Sequence, residues 1–157
     1  MNPTPEGWPR ISAALYYDDP RGAIDWLCRA FGFEVRLLVE TGTGAVAHSE
    51  LVYGEGVIMV GTADRRPGDL SPRSAKGNTQ SLMVYVDDLE AHLARAREAG
   101  AEITRELSVS DYGDEYWADR AYGVRDCEGH EWWFSQRLRT GDPSFSKVRN
   151  KVAKHDD

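Results

Sequence analysis

The sequence predicts an α+β fold made of two tandem βαβββ modules, and three observations carry that reading. One order recurs: a β-like run, an Asp-Asp pair, an amphipathic helix closed by glycine, then three further β-like runs. The Asp18-Asp19 and Asp87-Asp88 pairs lie 69 positions apart and the closing glycines, Gly32 and Gly100, lie 68 apart, so the two passes share a period to within one residue. Between them, Ala63 to Thr79 is rich in Arg, Pro, Gly, Ser and Asp, a composition that buries little apolar area and reads as an exposed linker. The expected organisation is one domain over 1–157, with modules at 9–62 and 80–137, a linker at 63–79 and a charged tail at 138–157.

In the first module, RISAALYY (10–17) is rich in β-formers and ends at Asp18-Asp19-Pro20, where proline suits the first turn of a helix. The following RGAIDWLCRAFGF sets Ile24, Leu27, Cys28 and Phe31 at helical spacing before Gly32. FEVRLLVE, AVAHSELVY and VIMVGT, separated by Thr41-Gly42-Thr43-Gly44 and Gly54-Glu55-Gly56, read as three strands joined by turns. In the second module, QSLMVYV leads into Asp87-Asp88 and a helix with Leu89, Leu93 and Ala96 on one face. AEITREL, YWADRAYGVRD and HEWWFSQ then supply the three strands, the last two joined at Cys127-Glu128-Gly129. The polar loop from Ser108 to Tyr116 reads as a surface loop or a lid. Each Asp-Asp pair stands directly before a helix, so capping of free N–H groups explains it better than paired acid–base chemistry.

A net charge of -7, with no basic stripe outside the tail, argues against a nucleic-acid partner. No apolar run approaches the roughly 20 residues of a membrane span, and Met1 to Glu6 lacks the features of a signal peptide. Cys28 and Cys127 have no CxxC spacing, which suits a reducing cytoplasm. No GxSxG, P-loop or GxGxxG pattern supports nucleophilic hydrolysis or nucleotide binding.

The Asp-Asp starts, AFGFEV after the first helix and AGAEI after the second resemble the vicinal oxygen chelate superfamily, the group of glyoxalases, bleomycin-resistance proteins and extradiol dioxygenases. HSELVYGEGVIMVG and YWADRAYGVRDCEGHEWWFS resemble the hairpins of its glyoxalase or bleomycin-resistance-like branch, with Ala118 and Cys127 replacing that branch's glycine and proline. The resemblance implies a cupped mixed sheet with helices outside, closing two halves around one small-molecule cavity, and a homodimer. Strand parity then sends Ile11, Ala13, Leu15, Leu82, Val84 and Val86 toward the helices and Ser12, Tyr16, Ser81, Met83 and Tyr85 toward the cavity. Metal-dependent relatives hold a divalent ion on the first and last strands of each module. The matching positions here carry Ser12, Met59, Ser81 and Trp133, which do not make a ligand set, so no metal and no cofactor are expected.

Candidate ligand-binding residues are Tyr16, His48, Glu50, Met83, Tyr85, Trp117, Arg120, Tyr122 and Trp133; no catalytic residue is assigned. His48 and Glu50, two apart on a strand, share one face and are open to three readings: ligand contacts, metal donors, or a salt-bridged strand face. Tyr116, Trp117, Arg120 and Tyr122 put aromatic area and a guanidinium on the hairpin that should cross the cavity mouth, although Arg120 also reads as a structural staple. The favoured function is metal-independent binding of a planar or aromatic compound. The alternative is a glyoxalase-like lyase or isomerase, or another enzyme of that superfamily, using His48 and Glu50 with or without a divalent metal.

Overall fold

The computed structural model describes residues 1–42 and 45–141. The first module comprises β1 (Ala13–Tyr17), α1 (Pro20–Phe31), β2 (Glu34–Glu40), β3 (Val46–Tyr53) and β4 (Gly56–Thr62). A short helix, α2 (Pro72–Ala75), precedes the second module: β5 (Ser81–Tyr85), α3 (Leu89–Glu98), β6 (Glu102–Asp111), β7 (Ala118–Arg125) and β8 (Glu131–Arg139). Each module is its own four-stranded mixed sheet, ordered β1-β4-β3-β2 and β5-β8-β7-β6. In both, the first strand runs parallel to the last, while the remaining pairs are antiparallel. The repeat read from the sequence is therefore a repeat of topology.

Both long helices start as the sequence implies. The Asp19 carboxylate accepts from the Gly22 N–H at 3.0 Å and the Asp88 carboxylate from the Ala91 N–H at 3.0 Å, each satisfying an orphan donor of the first turn. α1 ends where Gly32 enters the left-handed region at φ 79° and donates back to the Cys28 carbonyl.

The helix-facing sides of the two sheets enclose one core. Phe31, at the end of α1, packs its ring 5.5 Å from Trp132 and 4.8 Å from Phe134, both on β8 of the other module. Trp26 donates its indole N–H to the Ala99 carbonyl beyond α3. Tyr17, Phe31, Tyr122, Trp132 and Phe134 are all fully buried. Burial of rings this size contributes roughly 3 kcal/mol apiece before the entropy of ordering them.

A polar staple at the β7–β8 turn joins the modules. One Asp126 oxygen accepts the N–H groups of Glu128, Gly129 and His130; the other accepts the Tyr17 hydroxyl at 2.6 Å and the Trp132 indole N–H at 3.0 Å. The Glu128 carboxylate accepts the N–H groups of Asp18 and Asp19 at 2.8 Å, just ahead of α1. His130, just after the turn, is buried with its Nε2 bonded to the Tyr16 carbonyl.

Three sequence expectations change. Ser108 to Asp111 pair with β7 and belong to β6, so only 112–116 remain of the expected surface loop or lid, because the ladder partners Ala118 to Ala121 extend the strand. The linker is not wholly exposed: Ala63 and Ser71 are buried, and Arg73 and Asn78 donate to the carbonyls of Cys127 and Gly129. β8 runs to Arg139, into the span read as tail, and residues 142–157 of that tail lie outside the described residues.

Candidate functional site

Because side chains alternate along a strand, each sheet has a helix-facing side and an open side. On β1, Leu15 and Tyr17 are buried against the core, which turns Ala14 and Tyr16 to the opposite side. Parallel pairing sets Met59 beside Ala14 and Gly61 beside Tyr16. A Cβ at Gly61 would stand 3.3 Å from the Tyr16 ring, so glycine makes room for it. On β3, Leu51 is buried and His48 and Glu50 face out, opposite Val39 and Leu37 of β2.

His48 and Glu50 are hydrogen-bonded to each other on this open face. Glu50 accepts from His48 Nε2 at 3.0 Å and from Arg36 Nε at 2.7 Å. The hydrogen bond from His48, and after it Arg36, hold the Glu50 carboxyl below the usual carboxylate range against an opposing effect of desolvation. Arg36 in turn donates to the Gly7 carbonyl and lies 4.8 Å from the Trp8 ring centroid, fixing the N-terminal segment against sheet 1. Arg36 was not singled out in the sequence. A bulge between Val35 and Leu37 brings it to Glu50, and a one-residue insertion of that kind is not written in the alternation.

On sheet 2 the open side carries Met83 and Tyr85 of β5, Trp133, Ser135 and Arg137 of β8, and Asp119, Ala121 and Gly123 of β7. Met83 is 62% exposed, Tyr85 44% and Trp117 43%. Asp119 stands directly opposite Arg137. Arg137 Nε donates to Asp119 at 2.5 Å and its Nη2 to the Tyr85 hydroxyl at 2.6 Å. Asp119 and Tyr85 together hold the guanidinium above its ordinary pKa. Neither Asp119 nor Arg137 was among the predicted site residues, yet both share the parity of Trp133, which was the available signal.

Arg120 and Tyr122 are corrected. Both have the opposite parity and point toward the helix layer. Arg120 is the staple of the alternative reading, donating to Glu90 of α3 and to Gln136, each at 2.8 Å. Tyr122 is fully buried and its hydroxyl donates to His92 Nδ1 at 2.7 Å, while His92 Nε2–H donates to the Phe31 carbonyl at 3.0 Å. Burial holds this histidine neutral, with its pKa pushed down to about 4, and pushes the Tyr122 phenol up.

The described residues do not close both open faces over one cavity. A hollow of about 130 Å³ on sheet 1 is lined by Tyr16, His48, Met59, Arg65 and neighbours from the first module. Met83 and Tyr85 instead border a cleft of about 610 Å³ between β5 and the β3–β4 hairpin, with Phe33, Tyr53 and Trp132 in its wall. A polar depression of about 700 Å³ beside the linker is lined by none of the predicted site residues.

The four positions where metal-dependent relatives carry ligands do not fit a divalent ion. Ser12, Met59, Ser81 and Trp133 offer two hydroxyls, a thioether and an indole, where such an ion needs carboxylate, imidazole or thiolate donors. Ser12 Oγ is buried and has no hydrogen-bond partner among the described residues, and no group of three His, Cys, Asp or Glu side chains among them is arranged to hold a metal.

The chain belongs to the glyoxalase/bleomycin resistance protein/dioxygenase superfamily, whose family model matches residues 11–134. Among solved structures, TioX from Micromonospora sp. ML1 is 34% identical, with a TM-score of 0.63 over 82% of this chain and 95% of that one. A superfamily member from Sphaerobacter thermophilus shares the fold at 16% identity, with a TM-score of 0.62 over 80% of this chain and 94% of its own. An uncharacterized protein of Mycobacterium tuberculosis is 30% identical over 134 residues, 83% of this chain and 76% of that protein.

Proposed function

We propose that this protein is a metal-independent binding protein that sequesters a planar or aromatic small molecule against the open faces of its sheets. The carrying observation is the exposure of Met83, Tyr85 and Trp117 on one sheet face, a cluster of large apolar side chains that an isolated soluble chain ordinarily buries. The Ser, Met, Ser, Trp set at the family's ligand positions supports chemistry without a Lewis acid. The working unit is a homodimer in which the open face of sheet 1 in one protomer covers the open face of sheet 2 in its partner. Exposed Leu37 and Val39 on sheet 1 match the exposed apolar row on sheet 2 and support that pairing. Two unpaired cysteines, Cys28 and Cys127, agree with a cytoplasmic setting, and no helix among the described residues is long and apolar enough to cross a membrane.

Tryptophan fluorescence titrated against a panel of fused-ring aromatic compounds tests the reading, with saturable quenching expected for at least one. Flat responses across the panel, at protein concentrations where sedimentation shows a dimer, overturn it. The second reading is an enzyme using His48 and Glu50 as an acid–base pair, favoured by their 3.0 Å contact beside the hollow under Tyr16. Under that reading His48→Ala abolishes turnover of a bound compound, whereas under the binding reading the compound is recovered unchanged.

A further inference from the structure

We infer that the open face of sheet 2 recognises an uncharged aromatic ring system through a carbonyl group, and that Arg137 donates the hydrogen bond that selects it. This rests on the binding reading above and adds the chemical class of the ligand. Arg137 is fixed on three sides. Its Nε and Nη2 donate to the two Asp119 oxygens at 2.5 and 3.4 Å, Nη2 also reaches the Tyr85 hydroxyl at 2.6 Å, and that hydroxyl donates to Asp119 at 3.1 Å. The guanidinium carbon lies 5.4 Å from the centroid of the Tyr85 ring and 5.7 Å from that of Trp117. None of the described residues accepts from Nη1. Two N–H donors are thus held in place on a guanidinium that cannot swing, an arrangement that loses little entropy when an acceptor arrives.

The register sets small side chains next to those donors. Along β7 and β8 the open-face pairs run Gly123 with Trp133, Ala121 with Ser135, then Asp119 with Arg137. Small side chains therefore fill the row between an indole and the guanidinium. Trp133 and Arg137 are four residues apart on one strand, about 13 Å; Ser135 between them is buried, and the exposed ring surface beside the guanidinium is that of Tyr85 and Trp117.

The ion pair at the guanidinium decides the charge of a ligand bound there: Asp119 is paired with Arg137. An organic anion approaching Arg137 meets the Asp119 carboxylate at the same point, and a cation meets the guanidinium. Either ion loses hydration without gaining an unpaired opposite charge. A neutral carbonyl accepts from Nη1 without that loss. Sequence reading missed the device because Arg137 and Asp119 are 18 positions apart and meet only through the β7–β8 register.

The test compares 2-naphthamide, naphthalene and 2-naphthoate by tryptophan fluorescence on the full chain. The amide is expected to bind at least fivefold more tightly than either of the others. In the double variant Arg137→Met with Asp119→Asn, which removes both charges together, its advantage over naphthalene is expected to fall below twofold while naphthalene itself binds as before. Should the double variant lose its near-UV circular dichroism, Arg137→Lys takes its place, since it keeps the charge and loses the planar fork. Tighter binding of the naphthoate, or an amide advantage that survives the substitution, overturns the inference. Naphthalene binding with no preference for the amide overturns it too and leaves the binding function standing, whereas no binding of any of the three removes both.

Discussion

Tyr17→Phe deletes one oxygen from the staple between the modules, and its effect can be worked from the geometry. The Tyr17 hydroxyl is buried and donates to Asp126 at 2.6 Å; burial first, then the carboxylate, push its phenol pKa well up, so it stays a donor across the working range. After the substitution that Asp126 oxygen keeps only the Trp132 indole N–H. Hydrogen bonds to charged groups contribute about 1.5–3 kcal/mol, and the surviving indole bond places the loss near the middle, at about 2 kcal/mol. For a chain of this size that lowers Tm by roughly 4–8 °C. Urea unfolding followed by far-UV circular dichroism and tryptophan fluorescence should show a lower midpoint with an unchanged slope. Asp126→Asn should lose more, about 3 kcal/mol, because its amide nitrogen would face the Trp132 donor. The double variant should lose less than the sum, since the two changes remove one shared bond. A Tyr17→Phe loss under about 0.5 kcal/mol would refute the reading of this contact as a staple.

Lowering the pH should destabilise the fold through His92. Its folded pKa of about 4 lies below the ordinary 6.5, so between those values the unfolded chain takes up a proton the folded chain refuses. Stability is thus full above about pH 6.5 and falls by about 3 kcal/mol on going down to pH 4, a loss that His92→Gln, measured by urea unfolding across the same range, should not share. Gly32→Ala should cost about 1–2 kcal/mol by thermal melting, because the α1 cap sits at φ 79° and the new Cβ would come within 2.5 Å of the Arg95 guanidinium. The Cys127 thiol, pushed up to about 12 by burial and then by Asp126 and Glu128, should resist iodoacetamide at pH 8 in the folded chain and react once urea exposes it, as mass spectrometry would register.

Much of the fold was legible because its signals are local. The two Asp caps, Gly32 and the paired glycine turns each act within a few residues, and their repetition 69 positions apart identified a duplicated topology before any contact was known. Parity separated Tyr16, Met83 and Tyr85 from the helix-facing residues of their strands, and it put His48 and Glu50 on one shared face without deciding among their three readings. It failed to place Arg120 and Tyr122 only because the aromatic cluster before β7 was read as a cavity mouth without fixing which alternate residues face inward. Buried Val124 and Tyr122 decide that, and their burial follows from contacts with α3 and β8, far away in sequence. The Asp126 staple, the neutral His92 and the Arg137 cluster were illegible for the same reason: each is a meeting of residues brought together by the register of two sheets.

The common core under both sheets has an evolutionary consequence. A freshly duplicated βαβββ unit would have been two interchangeable copies, each able to pair with any other. Here Phe31 of the first half is packed among Trp132 and Phe134 of the second, and Glu128 of the second half finishes the start of the first half's helix but has no counterpart in the reverse direction among the described contacts. The halves have become complementary parts, like the two sides of a lock. An excised half would expose its share of those rings and lose a cap, so the ancestral single module cannot be recovered by cutting the chain at the linker. Its sequence would have to be redesigned along α1 and β8, where the two copies have grown into each other.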